Sequence, residues 1–236
     1  MKYHILTAIF VAQSLCGNNL LDRIALKHGT DKSSRIHNYT RHYSHYFLHL
    51  RHKPIKFLEI GFCQGASARL WDEYFKKAEL YFIDINPGVF DDAKGLSNRC
   101  HIDLIDQGNA AQLEEYALKY GPFDIIIDDG GHTMHQQITS FETLFSHVAP
   151  GGMYIIEDMH TSYAKGDLAG LYCPNCPKAA VNFLKDRIDD LNFIGAETNC
   201  ADQGKCSPEL ESTLNQYQRD ITAMHFYTSL VFVFKK

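Results

Sequence analysis

The 236-residue chain has no long run of Lys or Arg, no internal repeat and no low-complexity linker. Its formal net charge is −5. Without a basic stripe it lacks the electrostatic footprint of a nucleic-acid-binding protein, and we expect no nucleic-acid partner. No segment is apolar over the length a bilayer requires, so a membrane partner is not expected either. The first dozen residues, MKYHILTAIFVA, resemble a weak signal peptide, with a cleavage-like region near Gln13 to Gly17. His4 and Thr7 interrupt that run, which reads better as an amphipathic first helix, and the expected location is the cytoplasm. Seven Cys is an odd number, which excludes a fully paired disulfide framework within the chain.

What is present is a globular composition, 45 % hydrophobic and 22 % charged, in a length that suits one α/β domain. From about residue 55 strands and helices alternate. Strands are predicted at Ile55–Ile60, Leu80–Asp84, Arg99–Leu104, Phe123–Asp128 and Met153–Ile156, with helices between them. The helix from Thr133 to Val148 is expected to break at Pro150-Gly151-Gly152, and another helix is expected over Ala179–Asn192. Two closing runs, Ile221–Tyr227 and Leu230–Phe234, are separated by Thr228-Ser229 alone and must be antiparallel. The result is a mostly parallel sheet with one antiparallel strand. Residues 1–50 are expected to form a helical cap over a single domain at 51–236, interrupted by a Cys-containing insertion at about 159–178.

Ligands of such sheets bind beyond the carboxyl ends of the strands. Glu59, Gly61, Asp84, Asp106, Asp128, Asp129, Glu157 and Asp158 all fall there. The loop Glu59-Ile60-Gly61-Phe62-Cys63-Gln64-Gly65 permits a sharp turn and close approach of a ligand. It lacks the third glycine of a dinucleotide fingerprint. Asp84 is placed to accept hydrogen bonds from ribose hydroxyls, and Asp106 from an exocyclic amine, so the set in register suggests a bound nucleoside.

The segments LEIGFCQGAS, YFIDIN, DDGGH and IIEDMHTSY, with GTDK upstream, resemble the class I S-adenosylmethionine-dependent methyltransferases. They are most similar to the macrolide sugar O-methyltransferases of the mycinamicin and demethylmacrocin type, which are related to cephalosporin hydroxylase-like proteins. The resemblance covers most of the chain, from Gly29 to Tyr227. It implies a Rossmann-like fold of seven strands in the order 3-2-1-4-5-7-6, which periodicity alone does not fix. It also implies S-adenosylmethionine as cofactor, with contacts from Glu59, Gly61, Gly65, Asp84, Asp106 and Asp128.

If the fourth and fifth strands are neighbours, Asp129, Glu157 and Asp158 converge. Three carboxylates that close raise one another's pKa unless a cation sits among them, and oxygen ligands suit Mg²⁺ or Mn²⁺. Pairing with a side-chain cation such as Arg99 or Lys56 is the alternative. The resemblance implies Asp129, Glu157 and Asp158 as metal ligands and His132 as the catalytic base, with His135 one turn further on as the fallback. Thr161 and Tyr163 are candidates for the acceptor site, and Tyr39 for closing over it. Tyr39, Tyr43 and Tyr46 equally suit ordinary core packing.

The expected activity is O-methylation of a sugar or other vicinal-diol hydroxyl. The competing expectations are an oxidative enzyme of the hydroxylase-like kind and a non-catalytic cofactor-binding protein. No 2-His-1-carboxylate iron triad is evident in the motifs. The resemblance further implies association into a homo-oligomer. Cys173, Cys176, Cys200 and Cys206 leave a structural zinc, disulfides or unlinked thiols open, since neither pair has a clean zinc-ribbon spacing.

Overall fold

The computed structural model describes residues 19–173, 178–200 and 206–236. The signal-like segment at the N-terminus therefore lies outside the described residues. Seven strands form one sheet in the order β3-β2-β1-β4-β5-β7-β6. They are β1 (Lys56–Ile60), β2 (Glu79–Asp84), β3 (Cys100–Leu104), β4 (Phe123–Asp128), β5 (Val148–Ile156), β6 (Ile221–Tyr227) and β7 (Leu230–Lys235). The first five pair in parallel, and β7 runs antiparallel to both β5 and β6. The order implied by the resemblance is the order observed. Between β1 and β4 the chain switches direction across the sheet, and a crevice opens at that point.

Strand residues alternate between two cores, because side chains of a strand point to opposite faces with period two. Phe57, Ile125, Ile127 and Ile155 enter one core, together with α1 (Leu20–His28), α2 (Thr40–Phe47) and α3 (Ala66–Tyr74). Leu58, Ile126, Tyr154 and Ile156 enter the other, against α5 (Ala110–Tyr120), α6 (Met134–Leu144) and α8 (Ala180–Thr198). Continuous apolar runs in β1 and β4 follow from burial on both faces. Short helices fill the connections: α4 (Val89–Asp92), α7 (Asp167–Tyr172), α9 (Pro208–Glu211) and α10 (Gln216–Asp220).

The early segment joins the first core. Asn19 caps α1 by accepting from the backbone of Leu21 and Asp22, and Gly29 ends the helix at φ +73°. Tyr43 and Phe47 of α2 pack edge-on against Trp71 of α3, all three fully buried.

Two boundaries differ from the sequence reading. β5 begins at Val148 and runs through Pro150-Gly151-Gly152. Val148 pairs with Phe123 across a register shift, and a bulge of this kind accommodates a proline that would otherwise stop a strand. Helix α8 continues past Asn192 to Thr198, because Ile194 is buried and keeps the last turns packed. Among the described residues no helix is long and apolar enough to cross a membrane.

Candidate active site

The crevice at the switch point is lined by Gly61, Cys63, Asp84, Asp106, Gln107, Asp129, Gly130, Gly131 and Gln136, with Ile60, Ile83, Ile85 and Ile105 as its apolar wall. Its floor is held by hydrogen bonds between strand ends. Gly61 N–H donates to the Ile83 carbonyl at 2.8 Å and Asp129 N–H to the Ile60 carbonyl at 3.0 Å. One oxygen of Asp84 accepts from the backbone of Phe62 at 2.9 Å and Cys63 at 3.0 Å, and the other from Asn86 at 2.8 Å. Asp84 thereby fixes the glycine loop while lining the crevice. Asp106 accepts from Gly108 N–H at 2.8 Å, which turns the chain after β3.

Three residues expected at the cofactor do not line the crevice. Glu59 and Asp128 are fully buried. Glu59 shares the face of Phe57, and Asp128 the face of Ile126, so each is buried on one face of the sheet behind the crevice rim. Asp128 accepts from Gln107 Nε2 at 2.5 Å, from Tyr154 at 3.3 Å and from the hydroxyl of Ser140. Gln107 Oε1 in turn accepts from Gly131 N–H at 3.0 Å, so Asp128 acts on the following loop through Gln107. Gly65 opens α3 at φ +73°, with the Phe62 ring against it.

The acids at the ends of β1, β4 and β5 form two adjoining groups. The inner one holds Glu59, Asp129 and Glu157, and the outer one Asp129, His132 and Asp158; within each, ligand atoms lie within 4.8 Å of one another. Asp129 belongs to both, whereas Glu157 and Asp158 fall in different groups. Burial comes first in pushing the Glu59 carboxyl up to about 7, followed by the neighbouring Asp129 charge. Glu157 and Asp129 are also raised, chiefly by burial, with Asp129 adding to the effect on Glu157 and Asp158 adding to that on Asp129. The carboxylates are short of positive charge.

The cation found among them is Lys32. Its Nζ lies 3.0 Å from Glu157, 3.5 Å from Glu59 and in direct contact with Asp129. Lys32 is fully buried; burial works against its charge, yet Asp129, Glu157 and Glu59 together hold its pKa well above the usual lysine value. Tyr43 donates to Glu157 at 2.5 Å. Arg99 pairs with Asp72 and Lys56 Nζ donates to the Tyr120 carbonyl, so neither neutralises these acids.

In the outer group, His132 Nε2 stands 3.4 Å from Asp158 and 3.8 Å from Asp129. Its Nδ1 is buried without a hydrogen-bond partner. His132 and Asp158 both adopt φ +56°, a conformation that costs non-glycine residues about 1–3 kcal/mol and clusters at functional sites. Thr161 Oγ1, expected at the acceptor, is instead buried and directed at the carbonyls of His132 (3.1 Å) and Asp158 (2.9 Å), bridging the two strained residues. Tyr39 donates to Asp158 at 2.7 Å. Tyr163 is exposed, and the ring of His135 turns toward Gly108. Neither group contains two histidines, so no 2-His-1-carboxylate iron triad is assembled among the described residues.

Sequence reasoning gave no role to Lys32, Gln107 or Gln136, and it weighed Tyr43 only between closing over the acceptor and core packing. Lys32 lies inside the GTDK segment, but its partner Asp129 is 97 residues away.

The family described as "Methyltransferase domain" matches residues 58–159. The 8-demethyl-8-alpha-L-rhamnosyl tetracenomycin-C 2'-O-methyltransferase of Streptomyces olivaceus is 34% identical over 220 residues, covering 90% of this chain and 54% of that protein. The mycinamicin VI 2''-O-methyltransferase of Micromonospora griseorubida is 31% identical over 93% of this chain and 54% of its own length. The solved MycE methyltransferase in complex with Mg and SAH superposes with TM-score 0.73 at 31% identity, over 91% of this chain and 54% of that one. The chain belongs to the class I S-adenosylmethionine-dependent methyltransferases. It spans about half the length of the curated relatives it matches.

Among the described residues the four-cysteine zinc site is not assembled. Cys173 is disulfide-bonded and cannot offer a thiolate, and Cys200 and Cys206 are free. Cys176 lies outside the described residues.

Proposed function

We propose that this methyltransferase moves the methyl group of S-adenosylmethionine to a hydroxyl of a sugar or another vicinal-diol acceptor, with a divalent cation at Asp129, Glu157 and Asp158 and with His132 as the base. One observation carries the reading: Asp129 forms part of the crevice wall and part of both acid groups, so cofactor and acceptor chemistry share a boundary. The names of the relatives support the acceptor class, since they include O-methyltransferases of rhamnosyl tetracenomycin-C and of L-olivosyl-oleandolide.

The donor set fits a hard cation. Carboxylate oxygens of Asp129 and Asp158 lie within 4.8 Å of one another and of the His132 imidazole, and the Lys32 ammonium sits on the inner side against Asp129, Glu157 and Glu59. Bound there, Mg²⁺ or Mn²⁺ would make an acceptor hydroxyl more acidic. His132 takes the hydroxyl proton at Nε2 as the acceptor oxygen attacks the methyl carbon and the carbon–sulfur bond of the sulfonium breaks. Asp158 and Asp129 hold the imidazolium that results. Gly61, Asp84 and Asp106 position the cofactor in the crevice, and Gly130 and Gly131 keep the space beside it free of side chains.

The test is methyl transfer by the EDTA-treated protein to deoxyhexose glycosides and simple diols, with and without added Mg²⁺. Turnover restored by Mg²⁺ is the expected result. Transfer that EDTA leaves intact would remove the metal from the reading, and binding of S-adenosylmethionine without transfer to any hydroxyl would leave a non-catalytic cofactor-binding protein.

A thiol reports on the crevice directly. Cys63 is exposed on the glycine loop and lines the cavity, whereas burial pushes the Cys100 thiol up to about 12. S-adenosylhomocysteine is expected to slow iodoacetamide alkylation of Cys63 at least tenfold, with Cys100 unreactive in either state. Peptide mass mapping reads both; equal rates at Cys63 with and without ligand would place the cofactor elsewhere.

A further inference from the structure

Of the inner acid group only Asp129 reaches the crevice, yet the group contains three of the four carboxylates at these strand ends. Glu59 and Glu157 have almost no exposed surface, and Lys32 has none. Burial keeps solvent from screening Glu59 and Glu157, and Lys32 is the ammonium in contact with all three acids. Its place is set from both ends of the segment. Thr40 N–H donates to the Lys32 carbonyl at 3.0 Å, and Thr30 Oγ1 accepts from Lys32 N–H at 3.4 Å. Glu59 is held on its far side by Ser67 at 2.8 Å, and Glu157 by Tyr43 at 2.5 Å. The ammonium thus has the inner group as its fixed surroundings.

Three carboxylate oxygens within 4.8 Å of one another would themselves suit a divalent ion, and acid groups sharing a ligand, as these share Asp129, resemble the arrangement of two-metal sites. Resting on the metal-dependent reading above, we propose that Lys32 is a positioning residue that serves as the built-in cation of the inner group. It restricts the site to a single divalent ion on the Asp129–Asp158 side and sets how tightly that ion is held. The formal charge of Glu59, Asp129, Glu157 and Asp158 is −4, which Lys32 brings to −3 and one divalent ion to −1. Because the ammonium repels a neighbouring cation, its removal strengthens metal binding. A residue that merely supported the fold would weaken binding when removed, so the sign of the change separates the two roles.

The experiment is titration of the EDTA-treated full chain with Mn²⁺ alone, followed by electron paramagnetic resonance of free Mn²⁺. The wild type is expected to bind one ion per chain. Lys32→Met, similar in length and neutral, is expected to bind Mn²⁺ at least tenfold more tightly or to take a second ion. If that variant folds only with metal, it is purified in Mn²⁺ and the bound ion counted by atomic absorption, where two per chain is the expected value. Glu59→Gln is expected to lower affinity by no more than about threefold, since Glu59 faces Lys32, while Asp158→Asn loses more than tenfold. Lys32→Met binding one ion with unchanged or weaker affinity would overturn the proposal, as would Glu59→Gln losing as much as Asp158→Asn. A wild type that binds no Mn²⁺ would instead sink the metal-dependent reading itself.

Discussion

His132→Asn is expected to lower methyl transfer by about 10²–10⁴-fold, the usual contribution of a positioned general base, while leaving S-adenosylhomocysteine and Mn²⁺ affinities within about threefold of wild type. Asn is the chosen replacement because residue 132 sits at φ +56°, and Asn tolerates that region better than other side chains. The imidazole is partly exposed and Nδ1 makes no hydrogen bond, so the change removes little packing and only the Nε2 contacts to Asp158 and Asp129. Stability is therefore expected to change by less than about 1 kcal/mol, read as a thermal midpoint within a few degrees of wild type. The two-part readout matters because His132 stands close enough to Asp129 and Asp158 to serve as a ligand itself. Loss of rate with Mn²⁺ binding retained identifies a base. Parallel loss of both identifies a ligand, and the base must then be sought elsewhere.

The acids at the sheet edge were legible because strands end where apolar runs end. In a parallel sheet those ends share one rim, and Asp84, Asp106 and Asp129 indeed line one crevice. Which acids face the crevice was also written in the sequence, in the alternation of faces. Glu59 follows the parity of Phe57 and Asp128 that of Ile126, and both are buried behind the rim. The order of the strands was not legible from periodicity, since βαβ units of the same pattern can be laid down in several orders; it came with the family motifs. Lys32 could not be found by spacing, because a buried lysine is explained only by acids that are distant in sequence and brought near by the fold. The start of β5 was obscured for a local reason: Pro150-Gly151-Gly152 reads as a stop, and only the bulge opposite Phe123 shows that the strand passes through it. The state of Cys173 was likewise a matter of which thiols meet in space, and spacing left it open.

Gly61→Ala is expected to be the most damaging single methyl group that can be added to the site. Gly61 adopts φ +92°, and a Cβ there would lie 2.1 Å from the Asp129 carbonyl oxygen and 2.8 Å from its carbon. Both obstacles are backbone atoms and no rotamer change relieves them, so the ends of β1 and β4 must separate. That separation strains the hydrogen bonds from Asp129 N–H to Ile60 and from Gly61 N–H to Ile83. The backbone strain alone costs about 1–3 kcal/mol. With the clash, the loss of stability is expected to reach about 3–5 kcal/mol, at the upper end for point mutants. For a chain of this size that corresponds to a thermal midpoint lower by roughly 10 °C. Gly29→Ala provides the comparison, because Gly29 has φ +73° but nothing within 4 Å of the added carbon; its cost is confined to backbone conformation, about 1–2 kcal/mol. The same displacement carries a functional signature. Asp129 belongs to the crevice wall and to both acid groups, so moving it is expected to weaken S-adenosylhomocysteine and Mn²⁺ together, each by more than tenfold, whereas Gly29→Ala weakens neither. Calorimetry on the two variants decides the matter. If Gly61→Ala proves no less stable than Gly29→Ala and keeps both ligands, the close approach of the two strand ends is not what holds the cofactor crevice and the acid groups in one piece.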